Sequence, residues 1–544
     1  MKKINPLMFR IPKHAYLFIG MLIINLMLLN GQVRYQMAYG GAQNDEGRSV
    51  IPIANGYVIS GSTNSFGAGS SDFYLVGTDT CGNITISKTV GGTNSDGNFD
   101  LLSSFAGRYV LYGRTNSFGA GDYDTYLTEL NSTLSNVKTS WVVGDSLREE
   151  GQAVVEARDT TGFVGAGFTN TFGAGNYDVY VIKYRYNGTV AWTKVYGGSA
   201  LDKAYDIQTT SDGGYIITGE TKSFGEGMSD VYLLKLNSNG TLAWTKTYGT
   251  EGNDIGYSVK QTLDGGYIIT GITELGDSIP YGKNIYLIKT NSVGTKTWSF
   301  AYGGDDDDEG HSVVQLTDSS YAVCGFTKSY GAGNDDAYLL KTTKAGALSW
   351  GMTYGGDTID RCFCLLRTSD AGYFLAGQTL SFGAGKSDVY AVKTNNSGIS
   401  SCFEDSGAVR YTIIDSVKSG GSSSVGGVLN AGGTLNSPTT LVDTLCNNCD
   451  ELRASFNGNN YHENVNKYTL VFPNPTEDAL NIALINTSEG LAKINIMDVS
   501  GKIILSGEFD SGYSSIDVST LAKGVYLVRI EIEDDVFISK FIKN

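Results

Sequence analysis

An all-β fold is predicted for this 544-residue chain by three observations. A Tyr/Val-Gly motif returns seven times at steps of 51, 53, 53, 52, 54 and 52 residues. The composition is that of strands and turns, with 71 Gly and 34 Tyr but only 7 Pro. The last 78 residues, 467–544, switch to a different alternating pattern. Together these predict a seven-bladed β-propeller over residues 32–402, a Gly/Ser/Thr-rich linker with cysteines at 403–466, and a small C-terminal β-sandwich at 467–544.

Residues 1–31 read as a signal peptide, with Lys2, Lys3, Arg10 and Lys13 ahead of an apolar run from Ala15 to Leu29. That run is short for a membrane span. A retained anchor is the alternative, because Leu29-Asn30-Gly31 is a poor small-x-small cleavage signal. Cleavage removes four of the 40 basic residues and none of the 56 acidic ones, leaving a formal charge of −20. Such a surface repels phosphate backbones and anionic lipid, which argues against nucleic acid as a partner.

The repeat is anchored at Tyr39, Val90, Val143, Tyr196, Tyr248, Tyr302 and Tyr354. Its fourth copy is the clearest: Ala204 to Thr209, a turn at Asp212-Gly213-Gly214, Tyr215 to Thr221, a Ser223-Phe224-Gly225 loop, Val231 to Leu236, a turn, and Leu242 to Tyr248. Each copy is four short antiparallel strands. Such a unit cannot cover both its faces alone, and radial stacking does so. The pattern Tyr-Leu-Gly-Gly…Asp…Gly-x-Thr-x-Ser…Asp across residues 39–390 resembles the bacterial secreted β-propeller repeat family.

Closure of the ring is predicted from the ends. Trp192, Trp244, Trp298 and Trp350 precede their Tyr by four residues, and Trp141 lies on the same strand face before Val143. Tyr35 takes that place before Tyr39, so Val33 to Tyr39 reads as a fourth strand without its own first three. The last copy lacks a fourth strand, and Cys402 stands where its Trp should be. Residues 33–39 are therefore expected to complete blade seven, pairing beside the strand that ends near Lys393.

Two acid series recur with the repeat. Asp45, Asp96, Glu149, Asp202, Asp254, Asp308 and Asp360 follow the motif by six residues. Asp72, Asp124, Asp178, Asp230, Asn284, Asp336 and Asp388 open the third strand. Alternating strand direction puts both series on one face, with the loops of Phe66, Phe118, Phe172, Phe224, Tyr330 and Phe382. These are the candidate ligand-face residues. Their presence in every copy favours carboxylates that bind backbone N–H groups in tight loops, since a ligand site usually breaks the symmetry of its scaffold.

Asp305, Asp307 and Glu309 resemble the start of a calcium loop, but its twelfth position is Leu316 where a bidentate acid is needed. A solvated acidic loop is the expectation, with a lower-affinity calcium site assembled with another loop as the alternative, and no other cofactor is implied. Past the signal only His311 and His462 remain, and neither suggests a Ser/His/Asp grouping or a zinc site. No catalytic residue stands out, and the chain is expected not to be an enzyme, although paired acids for glycoside hydrolysis are abundant. Seven cysteines leave at least one unpaired. Cys81, Cys324, Cys362 and Cys364 look like individual substitutions, whereas Cys402 is expected to bridge to Cys446 or Cys449 across the linker. That linker is expected to be flexible or extended, with Tyr411 to Ile414 able to add a strand to the flank of the propeller.

The C-terminal segment carries Phe472-Pro473-Asn474-Pro475, Asp498-Val499-Ser500-Gly501-Lys502, Leu521-Ala522-Lys523-Gly524-Val525-Tyr526 and a Lys-rich end. In order and spacing it resembles the type A sorting domain of the type IX secretion system. The resemblance implies export through the periplasm, recognition by the secretion machinery, and delivery to the outer-membrane surface or the medium. On that basis the chain is expected to be a surface binding or adhesion module for a glycan or protein. A surface carbohydrate-active hydrolase or lyase, or a purely structural matrix protein, are the alternatives.

Overall fold

The computed structural model describes residues 32–275 and 282–407, and beyond them the strands between Val409 and Lys543 with residue 502 and the turn at 518–523. Residues 1–31, Cys449, Pro473, Asn474, Pro475 and Gly501 lie outside the described residues. The chain forms two compact units, divided after Ala454.

Seven five-stranded antiparallel sheets make up the first unit. Their first strands are Asp45–Ile53, Asp96–Ser103, Glu149–Glu156, Asp202–Thr209, Asp254–Gln261, Asp308–Gln315 and Asp360–Arg367, and sheets 1 to 7 are numbered by them. Each first strand packs against the first strands of both neighbouring sheets, sheet 7 against sheet 1 included, so the seven surround a common axis in a propeller-like ring. Apolar clusters fill the spaces between sheets; one such layer joins Tyr35, Tyr39, Ile59, Tyr74, Phe374 and Val389 of sheets 7 and 1.

The ring closes through Tyr35–Gly40, which pairs with Asp388–Thr394 in the register Tyr35↔Lys393 to Tyr39↔Val389. The motif tyrosines explain why neighbouring sheets keep a fixed offset. Tyr39 donates its hydroxyl to the Gly82 carbonyl at 2.7 Å, Tyr248 to Gly294 at 2.6 Å, and Tyr302 to Gly346 at 2.7 Å, each reaching a turn in the next sheet. Those turn glycines have φ of 88°, 74° and 73°, a region costly for residues with a Cβ.

The segment after Cys402, expected as a connector, supplies the fifth strand of every sheet. Glu404–Ser406 pairs with the outer strand of sheet 6, Val409–Thr412 with sheet 5, Ser416–Lys418 with sheet 4 and Ser422–Ser424 with sheet 3. Val428–Asn430 then pairs with sheet 2, Thr434–Asn436 with sheet 1 and Leu441–Asn447 with Tyr35–Gly40 in sheet 7. Outer edges that would present unpaired N–H and C=O groups are thereby covered.

Cys402 is bonded to Cys446, with Cα atoms 6.2 Å apart. Cys324 and Cys362, read from sequence as isolated substitutions, are also bonded, at a Cα separation of 6.0 Å. Cys324 lies on the second strand of sheet 6 and Cys362 on the first strand of sheet 7, faces that meet across one blade junction. Cys81 is disulfide-bonded as well, and Cys364 is a free thiol.

The second unit contains a three-stranded sheet, Tyr468–Phe472, Ala479–Ile485 and Tyr513–Asp517, and a four-stranded one, Leu491–Asp498, Ile503–Asp510, Gly524–Ile532 and Asp535–Lys543. Leu480 of the first and Ile494, Ile496, Val528, Ile530 and Phe541 of the second share one core. Among the described residues no helix is long and apolar enough to cross a membrane.

Candidate functional site

Both acid series are buried at the blade junctions, none of the acids more than 2% exposed. In the first series Asp45 accepts the Gly41 N–H at 2.7 Å and the Ser65 hydroxyl at 2.7 Å. Asp96 accepts Gly92 and Ser117, and Asp202 accepts Gly198 and Ser223, in the same manner. Glu149 accepts the Asp145 N–H at 2.9 Å, Asp254 that of Thr250 at 2.6 Å, Asp308 that of Gly304 at 2.8 Å and Asp360 that of Gly356 at 2.8 Å.

The second series holds the loop before it: Asp72 accepts the Gly69 N–H at 3.0 Å, Asp124 that of Ala120 at 2.9 Å, Asp178 that of Gly175 at 2.9 Å, Asp336 that of Gly333 at 3.0 Å and Asp388 that of Ala384 at 3.1 Å. Asp230 lies against Gly225 and Gly249. Burial pushes the carboxyls of Asp72, Asp124, Asp254, Asp308 and Asp336 up to about 6, opposed by the hydrogen bonds they accept. Phe66, Phe118, Phe172, Phe224, Tyr330 and Phe382 each pack 5.7–6.1 Å from a strand tyrosine. These residues tie loops and sheets together.

The calcium-loop residues do not converge. Asp305 is exposed, Asp307 pairs with Lys328 at 3.0 Å, and Glu309 pairs with Lys283 at 3.0 Å and His311 at 3.2 Å. Burial opposes ionisation of Glu309, but His311 and Lys283 prevail and hold its carboxyl at about 2. Among the described residues no group of three acids, histidines or cysteines could hold a metal ion.

What the sequence reading missed lies one and three residues beyond each first-series acid. These positions lie on the first strands, which surround the axis, and all but Gly97 and Glu150 are less buried than the residues between them. They read Glu46 and Arg48, Gly97 and Phe99, Glu150 and Gln152, Lys203 and Tyr205, Ile255 and Tyr257, Glu309 and His311, Arg361 and Phe363. The flanking acids recur in every sheet, whereas no two sheets carry the same pair.

They touch from sheet to sheet. Arg48 lies 4.0 Å over the Phe363 ring, His311 lies 5.4 Å from Phe363 and stacks on Tyr257 at 4.6 Å, and Tyr257 meets Tyr205 at 5.4 Å. Lys203 sits 4.7 Å from the Phe168 ring and 4.8 Å from Tyr177. Arg114 and Arg148 both cover Tyr123, at 4.5 and 4.9 Å, and both pair with Glu150. Arg361 donates to Asp335 at 2.6 Å and lies over Phe326 at 4.5 Å. Flat aromatic surface beside paired charges can stack on a ring and hydrogen-bond its substituents.

Further along the axis Asp100 accepts the Ser49 hydroxyl at 3.0 Å and the Val154 N–H at 2.9 Å, and Asp206 accepts the Ser258 hydroxyl at 3.2 Å and the Val259 N–H at 2.9 Å. Burial pushes the Asp100 carboxyl up to about 6, with the charge of Asp206 adding to it.

Ring and axis define an all-β repeat protein with a propeller-like fold, followed by a separate β unit. Residues 470–544 match the secretion system C-terminal sorting domain, which marks the chain for export by type IX secretion to the cell surface or extracellular space and implies contact with that machinery. In this unit Asp498 accepts the Lys502 N–H at 3.1 Å to close a turn, Gly524 opens a strand, and Tyr526 donates to the Ala522 carbonyl at 2.8 Å while stacking on Phe541 at 5.6 Å. No curated protein matches the chain. Among solved structures, an endo-1,5-α-L-arabinanase from Thermotoga petrophila RKU-1 aligns at 10% identity and a TM-score of 0.26, over 67% of this chain and all of its own. The same enzyme in complex with Tris aligns at 11% and 0.16, over 65% of this chain and 99% of its own. Scores at this level transfer no activity.

Proposed function

We propose that the ring is a surface binding or adhesion module that takes a glycan or protein ligand at the aromatic, charge-paired mouth of its axis, and that residues 1–31 are the cleaved export signal. The observation that carries the reading is the break in symmetry: no two of the seven sheets carry the same pair of residues at the positions one and three beyond the first-series acid, whereas the acids beside them recur in every sheet. The hydrolase alternative would draw on Asp100 and Asp206, but each is engaged by a hydroxyl and a backbone N–H of neighbouring sheets, Asp100 by Ser49 of sheet 1 and Val154 of sheet 3 and Asp206 by Ser258 and Val259 of sheet 5, the geometry of a tether.

The test is a glycan array and a panel of surface proteins probed with the mature chain and with its Lys203→Ala, Arg361→Ala and Tyr123→Ala variants. A ligand held by the parent and weakened at least tenfold in these variants supports the axis. Binding indifferent to all three overturns it, and cleavage of a bound glycan would favour the hydrolase reading.

A further inference from the structure

The seven fifth strands make one full circuit of the ring, in the sense opposite to the chain's own order of sheets: 6, 5, 4, 3, 2, 1, 7. No sheet is skipped. In the sequence Gly420-Gly421, Gly426-Gly427 and Gly432-Gly433 recur at six-residue spacing, in step with the strands. The circuit ends where it began, because Cys446 in its last strand is bonded to Cys402, 44 residues earlier.

Its last strand also lies on the seam. Tyr35–Gly40, which closes the ring, is held between Asp388–Thr394 on one side and Leu441–Asn447 on the other. The Gln36 side chain donates to the Ser400 hydroxyl at 2.8 Å and to the Cys402 carbonyl, fastening the seam strand to the start of the circuit. At the start itself, Gly355 donates to the Phe403 carbonyl at 3.1 Å, and Arg410 lies over Phe300 at 4.4 Å.

We propose that residues 402–446 are a strap that the Cys402–Cys446 bond converts into a closed hoop, locking the N-terminal seam strand in place. An open strap could peel from either end, one short strand at a time. A hoop has no end, so releasing Tyr35–Gly40 requires lifting the whole circuit. In the folded chain every strap strand pairs with the outer strand of a sheet, and Cys446 reaches Cys402 with Leu441–Asn447 docked on the seam strand. Closure converts two thiols to one disulfide, with the two protons and two electrons passing to an external disulfide oxidant that leaves as two thiols.

The experiment is hydrogen exchange on the mature chain, oxidised, against its Cys402→Ser/Cys446→Ser variant. Peptides covering Tyr35–Gly40 and the strap should exchange at least tenfold faster in the variant, while the inner strand Asp178–Arg185 exchanges at the parent rate. Equal rates at the seam overturn the lock. Uniform acceleration of every strand also overturns it, because that outcome reports only a loss of global stability. Should the variant not accumulate folded, reductant added to the folded parent opens the same bond, alkylation at Cys402 and Cys446 confirms the opening, and the same two readings apply.

Discussion

Asp72 and Asp96, on neighbouring sheets, meet over Gly91, where a Cβ would lie 1.9 Å from an oxygen of the first and 2.8 Å from an oxygen of the second. The same meeting recurs at Gly40 between Asp388 and Asp45, so the closing junction is built like the others. Two carboxylates taken out of water at one junction favour the protonated form. A carboxyl whose folded pKa is raised to about 6, as for Asp72, Asp124, Asp254, Asp308 and Asp336, contributes stability that is present below the ordinary value near 3.8 and lost as pH rises through about 6. Glu309, Asp212 and Asp264, held at about 2, act oppositely, contributing stability above their ordinary values that is lost as pH falls towards 2. The mature chain should therefore melt at a higher temperature near pH 5 than at pH 7.5, and lower again below pH 3. A melting temperature that rises steadily from pH 5 to 7.5 would count against this account.

Sheet 5 offers the natural control, because Asn284 occupies the second-series position there. Asp336→Asn should keep the bond from Gly333 while removing a costly charge. The variant is expected to be more stable than the parent at pH 7.5 and equal to it near pH 4, read from denaturation midpoints at the two pH values. A loss of stability at both would show that the negative charge itself is needed.

Tyr248→Phe removes a buried hydroxyl that bonds the Gly294 carbonyl at 2.6 Å and leaves that carbonyl without its partner. The expected cost is about 1–3 kcal/mol. Chemical denaturation with an unchanged slope would check it, and a change below about 0.3 kcal/mol would mean that the offset between sheets is set by packing alone.

Much of this architecture was legible because repetition amplifies weak signals. Tyr35 standing where later copies carry Trp gave the seam, and the acid spacing gave the junctions. The axis was not legible for the same reason: repetition shows what copies share, and Arg48, Lys203, His311 and Arg361 are what they do not share. The signal was present in the positions one and three after each acid, read as a column of differences. The strap was hidden by its brevity, since six of its seven strands have only three or four residues, too few to show alternation, and Gly/Ser composition reads as linker. Its six-residue Gly-Gly spacing was the clue. Cys324 and Cys362 escaped because pairing them requires knowing that the second strand of one sheet faces the first strand of the next.

Delivery and binding are separable, because the ring completes its sheets and strap by Asn447, ahead of the sorting domain. Deleting residues 467–544 should leave a folded ring trapped in the periplasm, with the same melting transition and the same Cys402–Cys446 bond as the parent. Fusing residues 467–544 behind an unrelated, signal-bearing passenger should send that passenger to the surface of a host with type IX machinery. Within the domain, Tyr526→Ala removes the bond to Ala522 and the stacking on Phe541, and is expected to lower surface delivery by unfolding the domain rather than the ring. Asp336→Asn, which touches only a blade junction, should be exported at the parent level. Protease accessibility on intact cells reads all four. Surface display of the truncated chain at the parent level, or a fusion retained in the periplasm of a competent host, would show that recognition lies elsewhere in the chain.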